Sequence, residues 1–190
     1  MFPSRRATVF VVVALALAPL TALATVVMAL SLEELTERAP VVVHGTVRRS
    51  VTGWAEGKRG IWTWTEIAVR ESLKGAPRTT ALVKQPGGVL DGVGQRVSGA
   101  GRFEEGEEVV LFLEPAVDEP NAFVLLAMAA GKVTLEGTVG PKVARRDLKG
   151  LSFAQRGGKG VAGPVAERET LGTAEAFLAR VRAAAKGATK

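Results

Sequence analysis

Ile61-Trp62-Thr63-Trp64-Thr65-Glu66-Ile67-Ala68-Val69-Arg70-Glu71 decides the fold class. Ile61, Thr63, Thr65, Ile67 and Val69 recur at every second position, and Trp62, Trp64, Glu66 and Arg70 fall between them. Successive side chains of an extended chain point to opposite faces, so this period of two predicts a strand with one buried face. Ahead of it, Val41-Val42-Val43-His44-Gly45-Thr46-Val47 begins a strand that runs to about Trp54. Ala55-Glu56-Gly57-Lys58-Arg59-Gly60 supplies the turn between the two. The pair reads as a long hairpin.

Strands continue downstream. Leu73-Lys74-Gly75 closes the hairpin, and Thr79 to Lys84 forms a third strand. Pro86-Gly87-Gly88 opens a glycine-rich stretch that ends near Phe103. Glu107-Glu108-Val109-Val110-Leu111-Phe112-Leu113 is continuously apolar after its two acids, which predicts a central strand or one buried on both faces. Phe123 to Met128 and Lys132 to Glu136 complete a meander around Gly131. Abundant valine and glycine with no tyrosine favours strands joined by glycine turns. The expectation is a mainly β protein, an antiparallel barrel or strongly curled sheet of about five to seven strands.

Two helices frame it. Ser31-Leu32-Glu33-Glu34 has the form of a capping box, Leu30 and Leu35 are spaced as a hydrophobic staple, and Pro40 stops the helix after Arg38. At the far end, Thr173 caps a helix in which Phe177, Leu178, Val181 and Ala184 form a narrow apolar stripe before Gly187. That stripe predicts a helix docked over one end of the barrel. Between Gly137 and this helix the pattern decays to a brief strand at Val143, and Asp147 to Pro164 is rich in glycine and base, which predicts a flexible loop.

The first residues carry a different signature. Arg5 and Arg6 precede an uncharged run from Ala7 to Leu32, broken by Pro19, with Ala22-Leu23-Ala24 after it. This is the order of a secretory signal, with cleavage after Ala24 and a mature chain starting at Thr25. An uncleaved membrane anchor is the alternative, because the run is long enough to span a bilayer. The expected organisation is a signal peptide at 1–24, a β-barrel domain at 25–146, a flexible glycine-rich basic loop at 147–169 and a C-terminal helix at 170–190. The protein is expected outside the cytoplasm, periplasmic or secreted.

The chemistry of the chain narrows its activity. With no cysteine, disulfides, thiolate metal sites, a cysteine nucleophile and a lipidated cysteine are all excluded. The net charge of +6 falls to +4 without Arg5 and Arg6, from 23 bases against 19 acids. The bases are scattered, so nucleic acid is not an expected partner. His44, the only histidine, shares a strand face with Val42, Thr46 and Arg48 and reads as structural or superficial. Gly87, Gly88, Gly92, Gly94, Gly99 and Gly101 lack the following Gly-Lys-Ser/Thr of a phosphate loop and read as a wide barrel loop. Glu104-Glu105-Gly106-Glu107-Glu108 lacks the alternating oxygens of a calcium loop and reads as an acidic turn.

Trp54, Trp62 and Trp64 all lie on the first hairpin. They either pack across it or form an aromatic platform for a glycan, peptide or protein. The expected partner-binding surface comprises Trp54, Trp62 and Trp64, with Gly87, Gly88 and Arg96 as its rim. No catalytic residue, metal or cofactor is expected.

Three segments also carry a resemblance. They are Leu32-Glu33-Glu34-Leu35 through Val41-Val42-Val43-His44-Gly45-Thr46-Val47, then Val69-Arg70-Glu71-Ser72-Leu73-Lys74-Gly75, then Phe103-Glu104-Glu105-Gly106-Glu107-Glu108-Val109-Val110-Leu111-Phe112-Leu113. Their order resembles that of small exported bacterial proteins, and the pattern is similar to the OB-type barrel of netrin-like modules and tissue inhibitors of metalloproteinases. The resemblance covers Ser31 to Glu136 and implies an OB-like binding barrel. It also admits a peptidase-inhibitor role, although those inhibitors hold zinc through an N-terminal cysteine that this chain lacks. The functional expectation is an exported, non-catalytic binding module. An inhibitor or accessory partner of an extracellular metallopeptidase, and an enzyme with an unrecognised site, are the alternatives. Intact-mass measurement of the exported polypeptide tests the signal: a chain starting at Thr25 is expected, and one retaining Met1 contradicts cleavage.

Overall fold

The computed structural model describes residues 25–55, 57, 59–154 and 166–188. The expected signal peptide and residues 155–165 of the expected flexible loop lie outside the described residues. In chain order the elements begin with strand β1 (Thr25–Met28) and helix α1 (Leu32–Arg38). Strands β2 (Val41–Trp54), β3 (Ile61–Lys74), β4 (Thr80–Pro86), β5 (Gly88–Leu90) and β6 (Val93–Gln95) follow. Next come β7 (Glu108–Pro115), β8 (Ala122–Leu125), a 3-10 turn at Met128–Gly131 and β9 (Lys132–Glu136). Strands β10 (Val143–Asp147), β11 (Leu151–Ala154) and β12 (Arg168–Thr173) lead into helix α2 (Ala174–Gly187).

Five of these strands close a ring in the order β7, β2, β3, β4, β8 and back to β7. Every pair is antiparallel except β4 with β8, where Leu82 faces Ala122 and Val83 faces Phe123 in parallel. The fold is the expected OB-like barrel. Closing so few strands demands strong curvature, and the β2–β3 pair supplies it through three register shifts, between Val42 and Val43, His44 and Gly45, and Val47 and Arg49. Glycine is needed at the second shift: a Cβ on Gly45 would lie 2.3 Å from the Ala68 carbonyl oxygen. Strand β7 has a second neighbour on its outer edge, where Val109, Val110 and Leu111 pair with β9. From there the sheet runs on through β10 to β12, giving eight strands in all.

Two apolar cores lie on either side of β7. Val109, Leu111 and Leu113 point into the barrel with Val41, Val43, Val47, Ile67, Ala81 and Val83. Val110 and Phe112 point outward with Val42, Val133, Leu135 and Ala144, and the two helices cover them. Helix α1 is held as its sequence predicts. The Ser31 hydroxyl accepts from the Glu34 N–H and the Glu34 carboxylate from the Ser31 N–H, at 3.1 and 3.0 Å. Thr173 caps α2, which buries Phe177 and Val181. The docking site of α2 is therefore the outer wall of the barrel rather than its end.

The segment read as an unstructured loop contains the strand β11. It acquires strand structure from a partner remote in sequence, because Thr25 through Met28 pair with Leu151 through Ala154 in parallel. No local alternation announces such a strand, and tertiary pairing supplies what propensity does not. Leu148 and Leu151 join Ala129 and Ala130 in a third small core beneath it.

Truncation tests the outer core. Phe177→Ala is expected to cost about 3–5 kcal/mol in denaturant unfolding, as for other buried phenylalanines. Leu178→Ala, at a half-buried position beside it, is expected to cost less than half as much.

Candidate binding site at the barrel mouth

The barrel interior changes character along its axis. Beyond the shift at Val47 and Arg49, the inward positions of β2 and β3 carry hydroxyls in place of valines. Ser50 Oγ and Thr65 Oγ1 lie 2.9 Å apart, and Thr52 Oγ1 and Thr63 Oγ1 lie 3.2 Å apart. With its amide turned to match its neighbours, Gln85 donates to the Gly101 carbonyl at 2.7 Å and accepts from the Gly101 N–H at 3.0 Å. Ser50, Thr63, Thr65, Gln85 and Gly101 form the wall of a cavity of about 580 Å³ at the open end. Residues 86–104 overhang it.

Glycine is required where the overhang begins. Gly88 has φ +142, and a Cβ there would meet Thr63 Oγ1 at 2.6 Å and Thr52 Cγ2 at 2.7 Å. Gly87 donates its N–H to the Ile61 carbonyl at 2.7 Å, and its own carbonyl accepts from Thr63 Oγ1 at 2.7 Å. The Gln95 side chain accepts from the Ile61 N–H at 2.8 Å. The short β5–β6 hairpin is thereby tied to the edge of the mouth, while Val89 and Val93 on it stay 72% and 50% exposed.

The six expected surface residues divide among three places. Gly87, Gly88 and Arg96 all line the mouth. Trp62 and Trp64 alternate with Thr63 and Thr65 and so lie on the outer face of β3. Trp54 pairs with Ile61, on the face opposite to that of Trp62 and Trp64, and is 38% exposed. Trp62 and Trp64 are half-buried. Their companion is Lys84, whose ammonium lies 4.7 Å from the Trp62 ring and 5.8 Å from the Trp64 ring. Asp118 takes that ammonium at 2.7 Å and Glu119 at 3.3 Å, and the Trp64 indole N–H donates to Glu119 at 2.9 Å. Burial pushes the Lys84 ammonium toward neutrality, but the two carboxylates outweigh it and raise its pKa. The tryptophan pair thus encloses a cation of its own chain.

A second polar cluster forms where the acidic turn enters β7. His44 is buried, 6% exposed, and its Nε2 lies 2.7 Å from Glu108 Oε1. Lys142 bonds to the other Glu108 oxygen, and Arg70 reaches the first at 3.4 Å. Burial pushes the Glu108 carboxyl up, yet the hydrogen bonds and charges of Lys142 and His44 prevail and hold it below its ordinary value. Glu107, the preceding acid, binds Lys132 at 2.6 Å and accepts from Thr134 at 2.7 Å. The acidic turn is a pair of ion-pair hubs that anchor β9 and β10 to the ring. Among the described residues no group of three or more His, Asp or Glu side chains is arranged to hold a metal ion.

Sequence reading missed the mouth itself. Ser50, Gln85 and Arg102 attracted no notice as site residues: the register shift before Ser50 turns it toward the inward Thr65 of β3, and tertiary pairing brings Gln85 of β4 and the loop residue Arg102 to the same cavity. The parity change from inward Val47 to inward Ser50 is the signal that could have disclosed it. No protein-family description matches the chain, and no curated protein matches it.

The Glu108 cluster sets a pH dependence. A carboxyl whose pKa is depressed by folding contributes stability above its ordinary value of 4.5, and loses it as pH falls through the folded-state value. Glu33, Glu71 and Asp118 are shifted the same way by Arg180, Arg182 and Lys84 respectively. Urea midpoints are expected to fall below about pH 4.5. Glu108→Gln should lower the midpoint at pH 7 and flatten the acid limb; an unchanged limb contradicts the assignment.

Proposed function

We propose that the chain is an exported, non-catalytic binding module that takes a segment of a protein partner at the barrel mouth. The observation that carries this is a hydrogen-bonding cavity bordered by an apolar lip. Ser50, Thr63, Thr65 and Gln85 offer neutral donors and acceptors suited to peptide groups, and Val89 and Val93 stand exposed on the overhang. An apolar patch beside satisfiable polar groups is the usual anatomy of a protein-recognition surface, and a glycan would make less use of the valines.

A binding role is favoured over catalysis because the one histidine is buried against Glu108 and lies outside the mouth. The similarity to netrin-like barrels supports the same reading, while the inhibitor alternative has no residue to carry it in a chain without cysteine. Export rests on the N-terminal order of Arg5-Arg6, apolar run and Ala22-Leu23-Ala24. Among the described residues no helix is long and apolar enough to cross a membrane.

A pull-down from periplasm and medium tests the site with the full chain as bait. The partner retained by the wild type is expected to be lost with Val89→Asp/Val93→Asp and kept with Arg48→Ala/Arg49→Ala, which alters exposed bases on the outer face. Equal retention by both variants would remove the mouth from consideration, and a captured glycan in place of a protein would overturn the partner class.

A further inference from the structure

We propose that a second cleft, behind the overhang, binds a small anion carrying several phosphate groups. This goes beyond the reading of the mouth. Residues 96–104 form the partition between the two cavities, and on their other side lies a cleft of about 420 Å³ bounded by β9, β10 and the turn before β11. That volume suits a small molecule rather than a polymer.

Charge is what singles the cleft out. Seven basic side chains line it against four acidic ones. Most of the acids are already engaged. Glu107 is held by Lys132 at 2.6 Å, and Glu136 is shared by Arg145 and Arg168 at 3.5 and 3.9 Å. Asp147 accepts from the Lys149 N–H at 2.9 Å, and Arg146 turns to Glu169. Arg96, Arg102 and Lys149 remain on the basic side against Glu104, the fourth acid, which leaves the unmatched charge of the lining positive. All three are exposed, and among the described residues no acid lies within ion-pair distance of them. Three like charges lining one cavity repel each other. A multiply charged anion would relieve that repulsion.

The floor of the cleft is backbone held at close quarters. Gly99 and Gly150 have φ +74 and +77, and a Cβ would meet Leu151 at 2.4 Å from the first and Ser98 Oγ at 2.8 Å from the second. Ser98 Oγ donates to the Gly150 carbonyl at 2.8 Å, and Thr25 Oγ1 donates to the Ser98 carbonyl at 2.6 Å. These bonds fix the spacing between the segment bearing Arg96 and Arg102 and the turn bearing Lys149. Two guanidinium forks and an ammonium around a rigid cleft suit phosphate oxygens, which guanidinium binds in pairs and ammonium as a point charge.

Calorimetric titration of the full chain with sodium tripolyphosphate at low salt tests the site. Saturable binding of one ligand is expected, weakened about tenfold by Arg96→Gln, by Arg102→Gln or by Lys149→Gln, in line with charge-assisted hydrogen bonds. The triple variant should abolish it, with circular dichroism confirming that the fold persists. Arg48→Gln/Arg49→Gln and the mouth variant Val89→Asp/Val93→Asp should bind as the wild type does, which keeps this result separate from that of the partner capture. A parallel arm compares phosphatidylcholine vesicles with and without cardiolipin, an anionic lipid whose headgroup carries more than one phosphate. Binding gained with the anionic lipid and lost in the triple variant identifies a headgroup as the source of phosphate. Response to tripolyphosphate alone identifies a soluble polyphosphate group as the source. The proposal is overturned if neither arm shows binding sensitive to the triple substitution. It is equally overturned if the Arg48/Arg49 control weakens binding as much, or if a single-stranded oligonucleotide binds more tightly than tripolyphosphate.

Discussion

Burial of one strand on both faces is the constraint from which the rest of the structure follows. Residues 109–113 are wholly buried, alternating between the barrel interior and the layer under the helices. A strand buried on both sides has to be apolar at every position and hydrogen-bonded on both edges, since no water reaches its backbone. β2 occupies one edge, while β9 and then β8 share the other. The shared edge makes the ring close and also sends an arm of sheet outward to β10 and β12. The helices complete the arrangement by covering the outer wall, and concave surfaces lie at the open end of the barrel and behind its overhang.

Charge is distributed to reinforce that frame. Glu107 and Glu108, at the entrance to the buried strand, hold Lys132 and Lys142 on the arm, and Glu108 also takes His44 from β2. The Glu107–Lys132 and Glu108–His44 pairs are largely buried, so removing one partner leaves the other desolvated and costs more than at an exposed pair. Arg182 on α2 pairs with Glu71 on β3, and Arg180 pairs with Glu33 on α1, so the C-terminal helix is tied to the barrel and to its companion. Arg96, Arg102 and Lys149 stand outside this scheme.

Much of the frame was legible in the sequence because it depends on local rules. The period of two from Ile61, the capping box at Ser31, the cap at Thr173 and the unbroken apolar run at Val109 each specify an element without reference to anything distant. β11 was not legible, since it exists through pairing with Thr25–Met28. The site was less legible than the fold. Tryptophan drew attention to β3, but Trp62 and Trp64 surround Lys84, and Trp54 lies on the opposite face. The hydroxyls that line the mouth are ordinary strand residues: Thr63 and Thr65 face inward by the alternation of β3, and a register shift in β2 turns Ser50 to meet them. Gly87, Gly88 and Arg96 do line the mouth cavity, and the two glycines stand where φ is positive and a side chain would crowd its neighbours.

Native-state hydrogen exchange of the full chain examines the doubly covered strand most directly. The amides of residues 109–113 are expected to exchange only through global unfolding, with the same free energy for each and the same decrease when Phe177 is truncated. Exchange of those amides by local opening, while β3 and β4 keep their protection, would contradict the account.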